Sequence, residues 1–193
     1  MCNLYEHDIA YRQYVDQFSQ LKLPLVFPTP AEAPNLEPRL VRPTDPAPII
    51  RAEAGGVSLT PMKWGFAPAR PKAGPLINFR SEGRRFGQGR CLAPASAFFE
   101  FTGDRYPKTR WRFTATGEDW FCMAGIWRPA AGDWPESFTL LTTEPGADVA
   151  PIHNRQVVVL ARQDWARWLD PLADPAPLLV AAPPGSLQVA KAV

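Results

Sequence analysis

The sequence predicts an α+β fold, a single β-rich domain with a mainly antiparallel, barrel-like sheet and a few short helices. Three observations lead there. The chain has 193 residues, the size of one domain that buries its own core. From residue 49 to residue 160, short runs of β-branched and aromatic residues recur, each bounded by turn-forming residues. No regular helical pattern separates those runs, as a parallel βαβ architecture would require.

The elements follow in order. Asp8 is placed to cap a helix whose apolar residues Tyr11, Tyr14, Val15, Phe18 and Leu21 repeat at helical spacing. Prolines then crowd residues 24–48, and because each lacks an amide donor and fixes φ, that stretch is expected to be loop. Strands are expected over residues 49–54 and 57–64, turned by Gly55-Gly56, and again over 91–101, 111–115, 121–127, 138–143 and 156–160. A second helix is expected from Asp164, with Trp165, Trp168 and Leu169 on one face, until Pro171 ends it. Residues 2–185 are expected to form the domain and residues 186–193 a C-terminal tail.

Composition narrows the function classes. Hydrophobic content of 46% and charged content of 21% suit a soluble globular protein, and no apolar run reaches the roughly 20 residues that span a bilayer. The N-terminus has neither a basic leader nor an apolar h-region, so a cytoplasmic protein is expected. Cys2, Cys91 and Cys122 show no CxxC spacing, which argues against a disulfide framework and a zinc ribbon. With no GxGxxG, P-loop or HExxH in the chain, no cofactor and no metal are expected. The net charge of +2 hides an asymmetry: residues 54–117 carry eleven basic side chains against three acidic ones, a net of +8. Such a patch is either a nucleic-acid footprint or a set of solvated loop charges.

Several residues are equipped for chemistry. Cys2 follows an initiator Met that is removable before so small a residue, and its exposure leaves an α-amine and a thiol on adjacent carbons. An α-amine with a reference pKa near ~8 attacks aldehydes, and a neighbouring thiolate then closes a thiazolidine ring. The alternative is an incidental residue on a frayed end. Glu100 lies among Phe98, Phe99 and Phe101; facing inward it would keep its proton near neutral pH and serve as a general acid, whereas strand alternation offers a water-facing reading. His153, just before the run Val157-Val158-Val159-Leu160, is suited to shuttle protons or to a plain structural role. Asn78 can orient a nucleophile, and Arg80 and Arg155 can hold phosphates. Trp64, Gly65 and Phe66 pair aromatic rings with a permissive backbone, for stacking on a single strand or for packing the core.

Taken together, and in this order, Met1-Cys2, Trp64-Gly65-Phe66-Ala67-Pro68, Asn78-Phe79-Arg80-Ser81-Glu82, Cys91-Leu92-Ala93-Pro94 running into Phe98-Phe99-Glu100-Phe101, Ala124-Gly125-Ile126-Trp127 and Pro151-Ile152-His153-Asn154-Arg155 resemble the SOS-response-associated peptidase (SRAP) family of abasic-site-processing proteins. The resemblance runs from Cys2 to about Trp168. It implies a compact β-rich domain in which Cys2, Asn78, Glu100 and His153 meet at the end of a basic groove for single-stranded DNA. It further implies that Arg80 and Arg155 clamp phosphates, that Trp64, Gly65 and Phe66 shape the strand near the lesion, and that Arg84 and Arg85 belong to the DNA-binding surface. Asn3-Leu4 stands where many members have Gly-Arg, which removes one expected phosphate contact; Phe101 replaces a common Trp, and Gln156-Val157 a common Met-Pro.

The function so implied is that of a monomeric sensor of abasic sites in single-stranded DNA. After loss of Met1, the Cys2 amine forms an imine with the open-chain sugar and the thiolate closes a thiazolidine, leaving a DNA-protein crosslink. Glu100 acts as general acid/base, His153 assists ring opening and proton transfer, and Asn78 positions Cys2. AP-lyase and self-processing peptidase activities belong to the same expectation. Two alternatives stand beside it: a cysteine peptidase with Cys2 as nucleophile and His153 as base, and a non-covalent single-stranded DNA-binding module.

Overall fold

The computed structural model describes residues 1–70 and 72–192. In chain order the strands are β1 (Tyr5–His7), β2 (Leu25–Phe27), β3 (Arg39–Val41), β4 (Pro46–Glu53), β5 (Gly56–Trp64), β6 (Asn78–Arg80), β7 (Arg90–Ala95), β8 (Ala97–Thr102), β9 (Thr109–Ala115), β10 (Phe121–Arg128), β11 (Ser137–Thr143), β12 (Gln156–Val157), β13 (Val159–Leu160) and β14 (Leu187–Ala192). The α-helices are α1 (Tyr11–Gln20) and α2 (Trp165–Leu169).

The strands form two sheets. The smaller runs β14-β9-β8-β1-β3, antiparallel throughout. In the larger, β11, β10, β7, β4 and β5 are neighbours in turn, and β11 also pairs in parallel with β5, so these five strands close into a ring. The expected barrel-like, mainly antiparallel sheet is therefore present.

Alternation along the ring strands sorts their side chains into two cores. Ile50, Leu92, Cys122 and Ala124 pack with Tyr14 and Phe18 of α1 and with Trp165, Trp168 and Leu169 of α2. Ile49, Cys91, Ala93 and Met123 pack with Tyr5, Phe98 and Phe113 of the smaller sheet. Strands buried on both faces read as continuous apolar runs, which is how β7 and β10 appear in the sequence.

Three expectations are corrected. Helix α1 is capped at Ala10, whose amide donates to Gln13 Oε1 at 2.8 Å, and not at Asp8, because buried Ile9 must first turn into the core. Residues 24–48 are not all loop: β2 and β3 are edge strands, where proline neighbours are tolerated. In β4, Pro48 lies opposite Pro61 of β5, so two missing amides fall at one cross-strand pair, and β7 joins β4 only at Ile50 and Arg51. Residues 187–192 are strand β14, paired along its length with β9, and not a tail. Only Leu187 of that strand is buried among exposed neighbours, so the segment carries almost no apolar signal.

Candidate active site at the N-terminus

Strand β1 lies between β3 and β8, which fixes the first residues of the chain deep in the smaller sheet. Leu4 carbonyl accepts the Phe99 amide at 3.1 Å and the Cys2 thiol at 3.4 Å. Cys2 is buried. From the larger sheet, β6 pairs in parallel with β11 and brings Asn78 opposite Leu140. There the Asn78 Nδ2 donates to the Cys2 carbonyl at 2.7 Å.

Glu100 reaches the same place from β8. It is 1% exposed, so the water-facing reading does not hold. Its Oε2 lies 3.2 Å from the α-ammonium of Met1, and Oε1 has no hydrogen-bond partner among the described residues. His153 arrives from the turn before β12, where its amide donates to Val149 carbonyl at 3.0 Å. Its Nε2 is 2.6 Å from the Met1 nitrogen and 3.8 Å from Glu100 Oε2. Nδ1 lies 3.0 Å from both the carbonyl and the amide of Arg155; the short contact of Nε2 with the Met1 ammonium selects the tautomer in which Nδ1–H donates to that carbonyl and the Nε2 lone pair faces the amine. The four residues Cys2, Asn78, Glu100 and His153 thus gather around the chain terminus.

Burial sets their charges. Desolvation raises the Glu100 carboxyl to about 7, against the pull of the neighbouring ammonium. Desolvation lowers His153, helped by the same ammonium, so the imidazole stays neutral at physiological pH. The Cys2 thiol is pushed up to about 12, first by burial and then by Glu100. The group at this site equipped to attack first is therefore the amine, which faces a neutral imidazole as proton acceptor and a carboxyl that holds its proton near neutrality.

The amine opens on a cleft of about 390 Å³ lined by Met1, Asn3, Glu100, Phe101, Tyr106, Pro107, Lys108 and His153. Tyr106, Pro107 and Lys108 were not foreseen from sequence. They sit on the hairpin between β8 and β9, and Tyr106 is 93% exposed. The signal was there in part: Gly103-Asp104 marks a turn directly after Glu100, and the returning strand must pass beside it.

The expected DNA-contacting residues divide. Arg80 is exposed at the end of β6. Arg155 is held by Glu82 through two bonds of 2.5 and 2.9 Å and by Thr142 carbonyl at 2.9 Å. Arg84 and Arg85 are exposed but line a different cleft, with Pro171 and Asp174. Trp64 and Phe66 are buried. Trp64 packs edge-on to Tyr5 at 5.1 Å and donates to Ile77 carbonyl, while Arg128 covers the Phe66 ring at 4.4 Å. Neither offers a free face for a base, which corrects the stacking expectation. Gly65 between them has φ of 116°, and a Cβ there would lie 2.9 Å from Pro75 Cβ, so only glycine fits the bend. Among the described residues no three His, Cys, Asp or Glu side chains gather as a metal site.

Fold and site together define a class: a two-sheet β protein that presents its own N-terminal amine between a carboxyl and an imidazole. The model of one family, SOS response associated peptidase (SRAP), matches residues 1–192, and the chain belongs to that family. Among curated relatives, the abasic site processing protein YoaM of Bacillus subtilis (strain 168) is 27% identical over 187 residues, 89% of this chain and 80% of YoaM. YobE of the same organism, also an abasic site processing protein, is 27% identical over 126 residues, 57% of this chain and 58% of YobE. Two crystal structures share the fold: a Bacteroides thetaiotaomicron protein, TM-score 0.77 and 17% identity over 100% of this chain and 92% of that one, and a Bordetella bronchiseptica protein, TM-score 0.74 and 23% identity over 100% of both.

Proposed function

We propose that this protein processes abasic sites in single-stranded DNA by capturing them on Cys2 once Met1 is gone. The observation that carries the reading is the convergence on Cys2 at the floor of an open cleft: Asn78 holds the Cys2 carbonyl at 2.7 Å, and the Met1 nitrogen, one residue before Cys2, lies 2.6 Å from His153 Nε2 and 3.2 Å from Glu100 Oε2. The names of YoaM and YobE support the choice of lesion.

Removal of Met1 converts the Cys2 amide into a primary amine, while Asn78 keeps its grip on the Cys2 carbonyl. That amine gives a proton to His153 and adds to the aldehyde carbon of the ring-opened sugar. Glu100 donates a proton to the carbinolamine hydroxyl, which leaves as water and yields the imine. The Cys2 sulfur then adds to the imine carbon, and the proton released from the thiol goes to the nitrogen. The product is a thiazolidine, a five-membered ring joining protein to DNA. The exposed rim residues Tyr106 and Lys108 take over the stacking and phosphate contacts that buried Trp64 and Phe66 do not offer, and Arg80 supplies a further cation.

A peptidase reading needs a Cys–His pair. Here His153 Nε2 faces the amine, and the Cys2 thiol bonds to Leu4 carbonyl. The geometry favours amine chemistry over thiol attack on a peptide.

The test is incubation with an abasic single-stranded oligonucleotide followed by denaturing electrophoresis. The Met1-free protein is expected to give a heat-stable shifted band that Cys2→Ala and undamaged DNA do not give. No band, with loss of Met1 verified by intact mass, would sink the reading.

A further inference from the structure

We infer that a second cleft, between residues 81–89, which join β6 to β7, and the segment that follows α2, is a docking site for a partner protein whose docked segment is an acidic peptide end with an apolar tip and a free carboxylate. This cleft shares no residue with the one at the chain terminus, and the capture reaction makes no use of it.

Arg90, the first residue of β7, lines the cleft and is 5% exposed. Its Nη1 donates to Ala173 carbonyl at 3.1 Å and its Nη2 to Asp170 carbonyl at 2.6 Å, and the guanidinium carbon lies 5.6 Å from the Trp168 ring centre. Nε has no hydrogen-bond partner among the described residues, and no described carboxylate forms an ion pair with the group. The two nearby acids are engaged by their own turns: Asp170 accepts the Leu172 amide at 2.9 Å and Asp174 the Ala176 amide at 3.1 Å. Desolvation outweighs both and disfavours the Arg90 charge. A carboxylate brought in from outside offsets that cost through charge-assisted bonds.

Two more arginines stand in the lining. Arg84 and Arg85 are exposed, and neither forms an ion pair with a described residue. Arg84 is held with its guanidinium carbon 4.6 Å from the Phe79 ring centre, and its side-chain donors bond to no described residue. Against the three arginines the lining sets one acid, Asp174. The remaining wall is largely apolar: Phe86, 7% exposed and in a T-shaped contact with Phe79, on one side, and Pro171 and Pro175 on the other.

These features select the occupant. Single-stranded DNA calls for a track of cations several nucleotides long, with ring faces on which bases stack. This cleft measures about 370 Å³, the size of a pocket for a small ligand or the end of a peptide, and its one aromatic residue is buried. A buried cation is reached by a narrow group, whereas a phosphodiester carries a sugar on either side. A peptide end meets each part: its terminal carboxylate pairs with Arg90, its last apolar side chain packs against Phe86 and the prolines, and the acidic residues before it pair with Arg84 and Arg85.

The experiment uses the full-length protein and a fluorescent peptide, a run of aspartates ending in leucine and phenylalanine with a free carboxyl end, with binding read by anisotropy. Saturable binding is expected. Amidating the carboxyl end, replacing the final phenylalanine by alanine, and combining Arg84→Ala with Arg85→Ala are each expected to weaken it by on the order of tenfold. A thermal melt verifies that the double variant is folded. An undamaged single-stranded oligonucleotide added as competitor is expected to leave the peptide bound. No saturable binding, or binding that either the double variant or the amidated peptide leaves unchanged, overturns the inference. Displacement of the peptide by the oligonucleotide also overturns it and assigns the cleft to the DNA-binding surface. Capture at Cys2 is read separately by crosslinking, so neither result decides the proposed function.

Discussion

A carboxyl that is 1% exposed among phenylalanines keeps its proton to a high pH, and Glu100 does so up to about 7 against an ordinary 4.5. The acid form, which in the proposed mechanism expels the carbinolamine hydroxyl, is lost as pH rises through about 7. The rate of imine formation should therefore fall on the alkaline side of neutrality, and Glu100→Gln should flatten that limb while lowering the rate throughout; a pH series of crosslinking rates for the two proteins checks this. The sign for stability agrees. Between pH 4.5 and about 7 the folded chain binds a proton that the unfolded chain has released, so this contribution is full below 4.5 and is lost as pH rises through about 7. At this scale the sequence was partly legible. The identity of Glu100 and its three phenylalanine neighbours was plain, but alternation alone left its direction open, because β8 is buried at both Phe99 and Glu100.

At the scale of elements, the β8–β9 hairpin decides what the cleft meets. Glu100 pairs with Trp111 and Thr102 with Thr109, so the six residues between them stand beyond the sheet as its outer rim. Tyr106 touches little of the protein, and Lys108 forms no ion pair with a described residue. Lys108→Ala should weaken binding to single-stranded oligonucleotides and reduce the salt dependence of log Kd by about one. Tyr106→Ala should cost about 1–3 kcal/mol of binding, with melting temperatures unchanged for both; titrations at two or more salt concentrations check this. Elements with a strong apolar pattern, such as β7, β10 and α1, were legible from sequence. The short edge strands β2, β3 and β14 were not, since one-sided pairing and solvent exposure leave little pattern to read. Strand β6 was hidden for another reason: three residues, Asn78–Arg80, belong to the sheet only because β11 lies beside them.

Across the whole molecule, the smaller sheet and α1 are joined by a buried polar contact, His7 Nε2 to Tyr14 Oη at 2.7 Å. Desolvation, then the nearby Arg39 charge, pushes His7 down to about 4 from 6.5. Below pH 6.5 the unfolded chain takes up a proton that the folded one refuses, so stability is lost as pH falls from 6.5 to 4. The loss should be on the order of 3 kcal/mol, and thermal melts across that range should show a smaller decline in His7→Gln than in the parent. Nothing in the sequence around His7 announced this, because its partner becomes a neighbour only when α1 folds back on β1. The assembly of the site was legible through motif order, while its geometry was not: positions 2, 78, 100 and 153 converge because β6 and β8 come from different sheets that face each other at β1.

That placement of β1 also has a mechanical meaning. The strand is bonded to β3 on one side and β8 on the other, through Tyr5 with Val41 and Phe98 and Glu6 with Leu40 and Ala97. A pull applied at the first residue runs along the strand, across hydrogen bonds that lie perpendicular to it. Both ladders then bear the load in shear and must give way together, not one bond after another. On the proposed function, the end of the chain that captures the lesion would thereby also be an anchor, able to hold a strand under tension while the rest of the protein stays folded around it.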